Sequence, residues 1–151
     1  MAQRPTLTTQ RLRLRPFSLD DAGDVQRMAG SREIAANTLL IPHPYLDGMA
    51  EAWISSHQES YNRGEGVVWA VTGIENGKLM GAIGLNLDQE HQKAELGYWI
   101  GREYWSNNFA TEAGEAVIKY GFGVLGLNRI YARHLGRNPA SGRVMQKLGM
   151  V

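Results

Sequence analysis

The residues ELGYWIGREYWSNNFATEA, from Glu95 to Ala113, join an acid, a polar loop and an abrupt helix start. Leu96, Tyr98 and Ile100 alternate with Glu95, Gly97 and Trp99, the period of a strand with two different faces. After Trp105 the chain turns polar at Ser106, Asn107 and Asn108. Phe109, Ala113, Val117, Tyr120 and Val124 then recur at helical spacing. A helix that begins where a strand ends presents N–H groups without intrahelical acceptors and the positive end of its dipole. That end suits an anion such as a phosphate. Asparagine tolerates left-handed backbone better than other non-glycine residues, so Asn108 can make a tight turn into the helix. Gly97 and Gly101 flank Tyr98-Trp99-Ile100, where they can ease the packing of Trp99, Tyr104 and Trp105.

Other reactive side chains are sparse. There is no cysteine, which excludes disulfides, thiolate metal sites and a cysteine nucleophile. The four histidines are dispersed. His43 reads as a loop residue, His57 as a helix residue at the surface or in the core, and His91 as a turn residue. His134 shares strand parity with Ile130 and Ala132, which suits a core histidine. No His/Asp/Glu spacing points to a metal. Arg102, Arg133, Arg137, Arg143 and Lys147 either neutralise an anion or belong to a solvated surface.

The elements that must position these groups follow from local pattern. Leu7 to Phe17, with Leu12 and Leu14 against Arg11, Arg13 and Arg15, predicts a half-solvated first strand. Ser18 and Asp21 form a capping-box-like start, Asp standing for the usual Glu or Gln, of a helix to about Ala29. A long connection over residues 30–46 precedes a second helix, capped by Asp47, with Ala50, Trp53, Ile54, His57 and Tyr61, ending at Asn62 to Gly66. Val67 to Thr72 and Leu79 to Asn86 form an antiparallel hairpin about the turn Gly73 to Lys78. Lys93 to Gly101 is the next strand and Arg129 to His134 the last. Asn138-Pro139 reads as a cap and first position of a final helix. The order is β-α-α-β-β-β-α-β-α, a mixed α/β, α+β-like single domain.

The 151 residues are enough for one domain with a sizeable core, and 43% apolar and 21% charged content is ordinary for a globular protein. A net charge of +1 gives no basic field to attract nucleic acid. The N-terminal segment lacks an apolar signal core, and no apolar run approaches the roughly 20 residues of a membrane span. The expectation is a cytoplasmic protein with no nucleic-acid or membrane partner.

The ordered motifs RLRLRPF, SLDDA, PHPY, GYWIG, YW with ATEA, and GLNRIYARHLGRNPASGRVMQKLGM carry a family resemblance from about Leu7 to the last residue. The chain resembles the GNAT-superfamily N-acetyltransferases, in the branch of the ribosomal-protein N-terminal alanine and serine acetyltransferases. The resemblance implies a mostly antiparallel sheet splayed at the strand 93–101, with helices on both faces. It also implies acetyl-CoA as co-substrate, no metal, and direct transfer of the acetyl group to a primary amine, either a protein N-terminus or a small amine. The whole chain, 1–151, would be that acetyltransferase domain, ending before the family's last two strands. An uncovered sheet edge there would favour a homodimer or a longer polypeptide.

By the same resemblance, Leu96, Tyr98, Trp99, Ile100 and Gly101 would line the pantetheine arm. Ser106, Asn107, Asn108, Phe109, Ala110 and Thr111 would receive the pyrophosphate. Asn138 and Ser141 would lie near the thioester, with Arg143 near a phosphate. The family's loop is Gly-basic-Gly where this chain has Ser106, Asn107 and Asn108, and Met145 stands where many members have a tyrosine acid. Ser141 then becomes the donor to the leaving thiolate. Glu95 is the first candidate base for the amine, acting directly or through water, and His134 the second. Two rival readings stay open here: a non-catalytic acyl-CoA-binding or sensing module, and an interaction domain with a decayed cofactor site.

Overall fold

The structure is a computed structural model that describes residues 4–29, 48–101, 104 and 108–132. Its sheet has six strands in chain order: β1 (Leu7–Thr8), β2 (Leu12–Arg15), β3 (Gly66–Gly73), β4 (Leu79–Asp88), β5 (Lys93–Ile100) and β6 (Arg129–Ala132). Neighbours are antiparallel from β1 to β5, and β6 joins β5 in parallel. Three helices complete the described fold: α1 (Ala22–Ala29), α2 (Met49–Asn62) and α3 (Phe109–Gly123). A parallel neighbour needs a crossover connection, and α3 supplies it between β5 and β6.

The alternation along the strands divides the apolar side chains between two cores. On one face, Ala113, Val117 and Tyr120 of α3 pack with Leu12, Leu14, Trp69, Ile83, Leu85, Leu96 and Ile100. On the other, Phe17, Val25 and Met28 join Ala50 and Ile54 of α2 against Ala70, Ala82 and Trp99. Leu12 and Leu14 are fully buried, and each contributes roughly 2 kcal/mol by leaving water. Helices thus cover both faces of one sheet, the mixed single-domain architecture expected from the sequence.

The helix starts follow local chemistry. The Ser18 N–H donates to Asp21 Oδ2 at 2.9 Å, the capping interaction expected there. Asp21 is also clamped by Arg15, whose Nη1 and Nη2 donate to its two oxygens at 2.8 and 2.9 Å. Burial alone would raise the Asp21 carboxyl, but the Arg15 guanidinium and the Ser18 N–H hold it below the usual carboxylate range. The chain makes a 3₁₀ turn over Leu19–Asp21 before α1 begins.

Several sequence expectations need correction. The first strand is two strands, because the Thr9 N–H donates to the Leu12 carbonyl at 2.8 Å and closes a turn between them. Helix α2 is capped by Gly48 in a left-handed conformation, with φ 85°, rather than by Asp47. Val124 does not extend the buried stripe of α3: it lies past the helix end and is 70% exposed. Strand β4 runs two residues further than expected, to Asp88. His134 and the helix expected after Pro139 lie outside the described residues.

The β4–β5 pairing fixes the spacing beneath the functional segment. Gly81 opposes Ile100, and a Cβ at Gly81 would sit 2.2 Å from the Trp99 carbonyl oxygen and 2.9 Å from the Ile100 Cα. Both obstacles are backbone and cannot rotate away. Gly81→Ala is expected to lower stability by about 2–3 kcal/mol. A urea midpoint indistinguishable from that of the parent chain would contradict this reading of the β4–β5 contact.

Candidate active site

The expected strand–loop–helix junction is built by β5 and α3. Strand β5 pairs with β4 along its whole length, from Asp88↔Lys93 to Gly81↔Ile100. Its described ladder with β6 covers Lys93–Leu96. Leu96 and Ile100 turn their side chains into the core beneath α3, whereas Trp99 turns into the core beneath α1 and α2. Tyr98 is half-buried and packs at the edge of the α3 core, and Gly101 is buried. With the Leu96, Trp99 and Ile100 side chains committed to packing, those residues would meet a ligand through backbone groups.

Helix α3 begins at Asn108, whose backbone is left-handed at φ 62° and ψ 18°. The Asn108 carbonyl accepts the Glu112 N–H at 3.0 Å, the first turn of the helix. Phe109, Ala110 and Thr111 are half-buried, and the Thr111 hydroxyl oxygen is buried with no hydrogen-bond partner in the protein. A left-handed entry, a helix N-terminus and an unsatisfied hydroxyl together fit an anion with several acceptor oxygens. Ser106, Asn107, His134, Asn138, Ser141 and Arg143 lie outside the described residues.

Glu95 is half-buried on β5, opposite Asn86 of β4 and beside Tyr131 of β6. Strand parity puts it on the face of Trp99, toward α1 and α2. It is the proposed base that the structure describes. Among the described residues no group of three or more His, Asp or Glu side chains could hold a metal ion. No helix there is long and apolar enough to cross a membrane.

Local pattern left the surroundings of two residues open. The first is Glu112, whose carboxylate reaches across to Thr9 and Arg11 in the β1–β2 turn. The ATEA motif contains Glu112, but nothing local names partners about a hundred positions away. The second is His57, only 5% exposed, with its ring 4.5 Å from Trp53 and 5.6 Å from Phe17. Neither ring nitrogen has a hydrogen-bond partner, and the same is true of Trp99 Nε1 and Arg4 Nη1. The ring of Trp53 also lies 6.4 Å from that of Trp99, so the cluster reaches β5.

Burial, aided by the nearby Arg4 charge, lowers the His57 pKa from 6.5 to about 4. The unfolded chain therefore takes up this proton near pH 6.5, and the folded chain only near pH 4. The stability linked to neutral His57 is fully present above pH 6.5 and is lost as pH falls toward 4. Its size is about 3 kcal/mol. In denaturant titrations, His57→Phe should lose that part of the decline between pH 6.5 and 4. Parallel curves for parent and variant across the window would refute it.

Asn108 gives a second check. A β-branched residue is strained at this positive φ, so Asn108→Val should cost about 1–2 kcal/mol. Asn108→Gly should leave the helix start intact. Equal unfolding free energies for all three chains would mean that α3 starts by a different route.

A profile of the acetyltransferase (GNAT) domain matches residues 11–151. Among curated proteins, the chain is 34% identical over 146 residues to the uncharacterized N-acetyltransferase YoaA of Bacillus subtilis strain 168. That alignment covers 96% of this chain and 82% of YoaA. Among solved structures, the ribosomal L7/L12 α-N-protein acetyltransferase RimL with coenzyme A superposes with a TM-score of 0.85 at 13% identity, over 95% of this chain and 82% of that one. Spermidine N-acetyltransferase from Vibrio cholerae, with CoA and spermine, gives 0.79 at 20% identity, over 93% and 81% of the respective chains. At these identities the two structures speak for the fold.

Proposed function

The chain belongs to the GNAT acetyltransferase family, and on that footing we propose that it transfers the acetyl group of acetyl-CoA directly to a primary amine, a protein N-terminus or a small amine. The observation that carries the cofactor placement is the start of α3, where left-handed Asn108 leads into a first turn holding an unsatisfied Thr111 hydroxyl. The pyrophosphate is received there, with Ser106 and Asn107 completing the loop and Arg143 adding charge. The pantetheine arm runs along the backbone of Leu96 to Gly101. The same fold serves a ribosomal-protein α-amine acetyltransferase and a spermidine acetyltransferase, so both sizes of acceptor are compatible with it.

The amine must attack in its neutral form. Glu95 takes its proton, directly or through a water, from the sheet face shared with Trp99; His134 is the alternative base. The new C–N bond forms as the amine adds to the thioester carbonyl, whose oxygen becomes anionic, and the C–S bond breaks as that adduct collapses. Ser141 delivers a proton to the departing thiolate, as a hydroxyl resupplied by water or through a water it holds, since Met145 has no proton to give, and Asn138 holds the thioester. Holding the two reactants together supplies much of the acceleration, and strand N–H groups stabilise the developing oxyanion.

The test is acetyl transfer from acetyl-CoA to a panel of N-terminal peptides and polyamines, with calorimetry of acetyl-CoA binding. Glu95→Gln should lower turnover by about 10²-fold and change the acidic limb of the pH profile. Its acetyl-CoA affinity should stay unchanged. Binding without turnover on any amine would overturn the catalytic reading, and losses below about threefold in both Glu95→Gln and Ser141→Ala would assign the rate to positioning alone.

A further inference from the structure

Glu112 lies in the first turn of α3, beside the proposed diphosphate site, and its sign is wrong for binding an anion. A carboxylate there favours the helix dipole but repels a phosphate. Its partners explain its presence. One oxygen, Oε2, accepts the Arg11 backbone N–H at 2.9 Å and the Thr9 hydroxyl. The other, Oε1, accepts Arg11 Nε at 2.7 Å. The Arg11 guanidinium also lies 4.6 Å from the ring centroid of Phe109, the first residue of α3. Burial would raise this carboxyl, yet the Thr9 hydroxyl, the Arg11 N–H and the Arg11 guanidinium keep it below the usual carboxylate range.

These contacts join elements that are distant in sequence. The β1–β2 turn is itself closed by hydrogen bonds, since the Leu12 N–H donates to Thr9 Oγ1 at 3.0 Å and the Thr9 N–H to the Leu12 carbonyl at 2.8 Å. Glu112 thereby ties the first turn of α3 to a fixed hairpin at the far end of the sheet order. The guanidinium of Arg11 balances the carboxylate charge that would otherwise oppose a phosphate.

We propose that Glu112 is a positioning residue for the acetyl donor: through Thr9 and Arg11 it fixes the first turn of α3, so that its N–H groups and the Thr111 hydroxyl are aimed at the diphosphate. This rests on the reading that acetyl-CoA places its pyrophosphate at that turn. The tether and bare electrostatics predict opposite signs. Deleting a carboxylate that merely repels the ligand would tighten binding, whereas deleting a tether weakens it.

The experiment measures binding of acetyl-CoA and of S-acetylpantetheine, which lacks the diphosphate, to the full chain by calorimetry. Glu112→Ala should weaken acetyl-CoA by roughly tenfold and leave S-acetylpantetheine unchanged. In turnover assays the KM for acetyl-CoA should rise while that for the amine holds. Glu112→Gln, which keeps an oxygen acceptor, should recover part of the loss. Thr9→Val should reproduce a smaller version of it, and these two variants carry the comparison should Glu112→Ala fail to fold. Unchanged or tighter acetyl-CoA binding in the variants would overturn the inference, and so would equal weakening of both ligands, the mark of general destabilisation. Failure of the unmodified chain to bind acetyl-CoA would instead remove the reading on which the inference rests.

Discussion

Strand β5 must serve two cores and a ligand-facing junction at once, and the strand period of two is what makes this feasible. Its even-numbered residues Ala94, Leu96 and Ile100 close the core under α3. Trp99, one step out of phase, closes the core under α1 and α2. Slipping β5 by one residue would exchange these sets and place an indole where Leu96 and Ile100 now fit. The close approach at Gly81 works in the same direction, since the Trp99 carbonyl leaves no room for a side chain there. With register fixed on the β4 side, the position at which β5 ends is fixed too. The entry into α3 is then fixed by the left-handed Asn108.

How much of this could be read from the chain depends on the range of the interaction. The two faces of β5, the Ser18–Asp21 cap and the β3–β4 hairpin are encoded within a few residues, and they were legible. So was the helix start after Asn108 with Thr111 in its first turn, although the burial of the unsatisfied Thr111 hydroxyl was not. The β1–β2 break was hidden because the leucine–arginine alternation of Arg11 to Arg15 was read back to Leu7 across Thr8, Thr9 and Gln10, while the turn is made by hydrogen bonding. Gly48 displaced Asp47 because a left-handed backbone can begin a helix without a side-chain cap. Val124 matched the helical period but lies past the last turn, where periodicity no longer reports burial. The Glu112 contacts span 101 and 103 positions, and no local pattern reveals a partner at that distance.

The two sheet faces also differ in how they treat buried polar atoms. On the α3 side, Tyr120 packs edge-on against Trp69 at 5.3 Å, and burial together with Tyr61 pushes its phenol up to about 12. It stays neutral at any physiological pH. On the α1 and α2 side, His57, Trp99 and Arg4 retain atoms without protein partners. An unsatisfied buried donor or acceptor costs about 1–3 kcal/mol unless a water or ligand serves it. On the α3 side the unsatisfied atom is the Thr111 hydroxyl at the helix start, whereas the α1 and α2 side holds several such atoms around His57.

That asymmetry bears on how an amine could be handled under the proposed reaction. An amine acceptor arrives mostly as a cation, and a cationic site would repel it before it could be deprotonated. Arg4 already places one positive charge near His57. A protonated imidazole beside it would add a second, on the sheet face that carries Glu95. Burial prevents this by holding His57 neutral well below neutral pH. The carboxylate of Glu95 can then meet an ammonium group without a competing charge on His57, while the cation Arg11 is engaged near the start of α3 with Glu112.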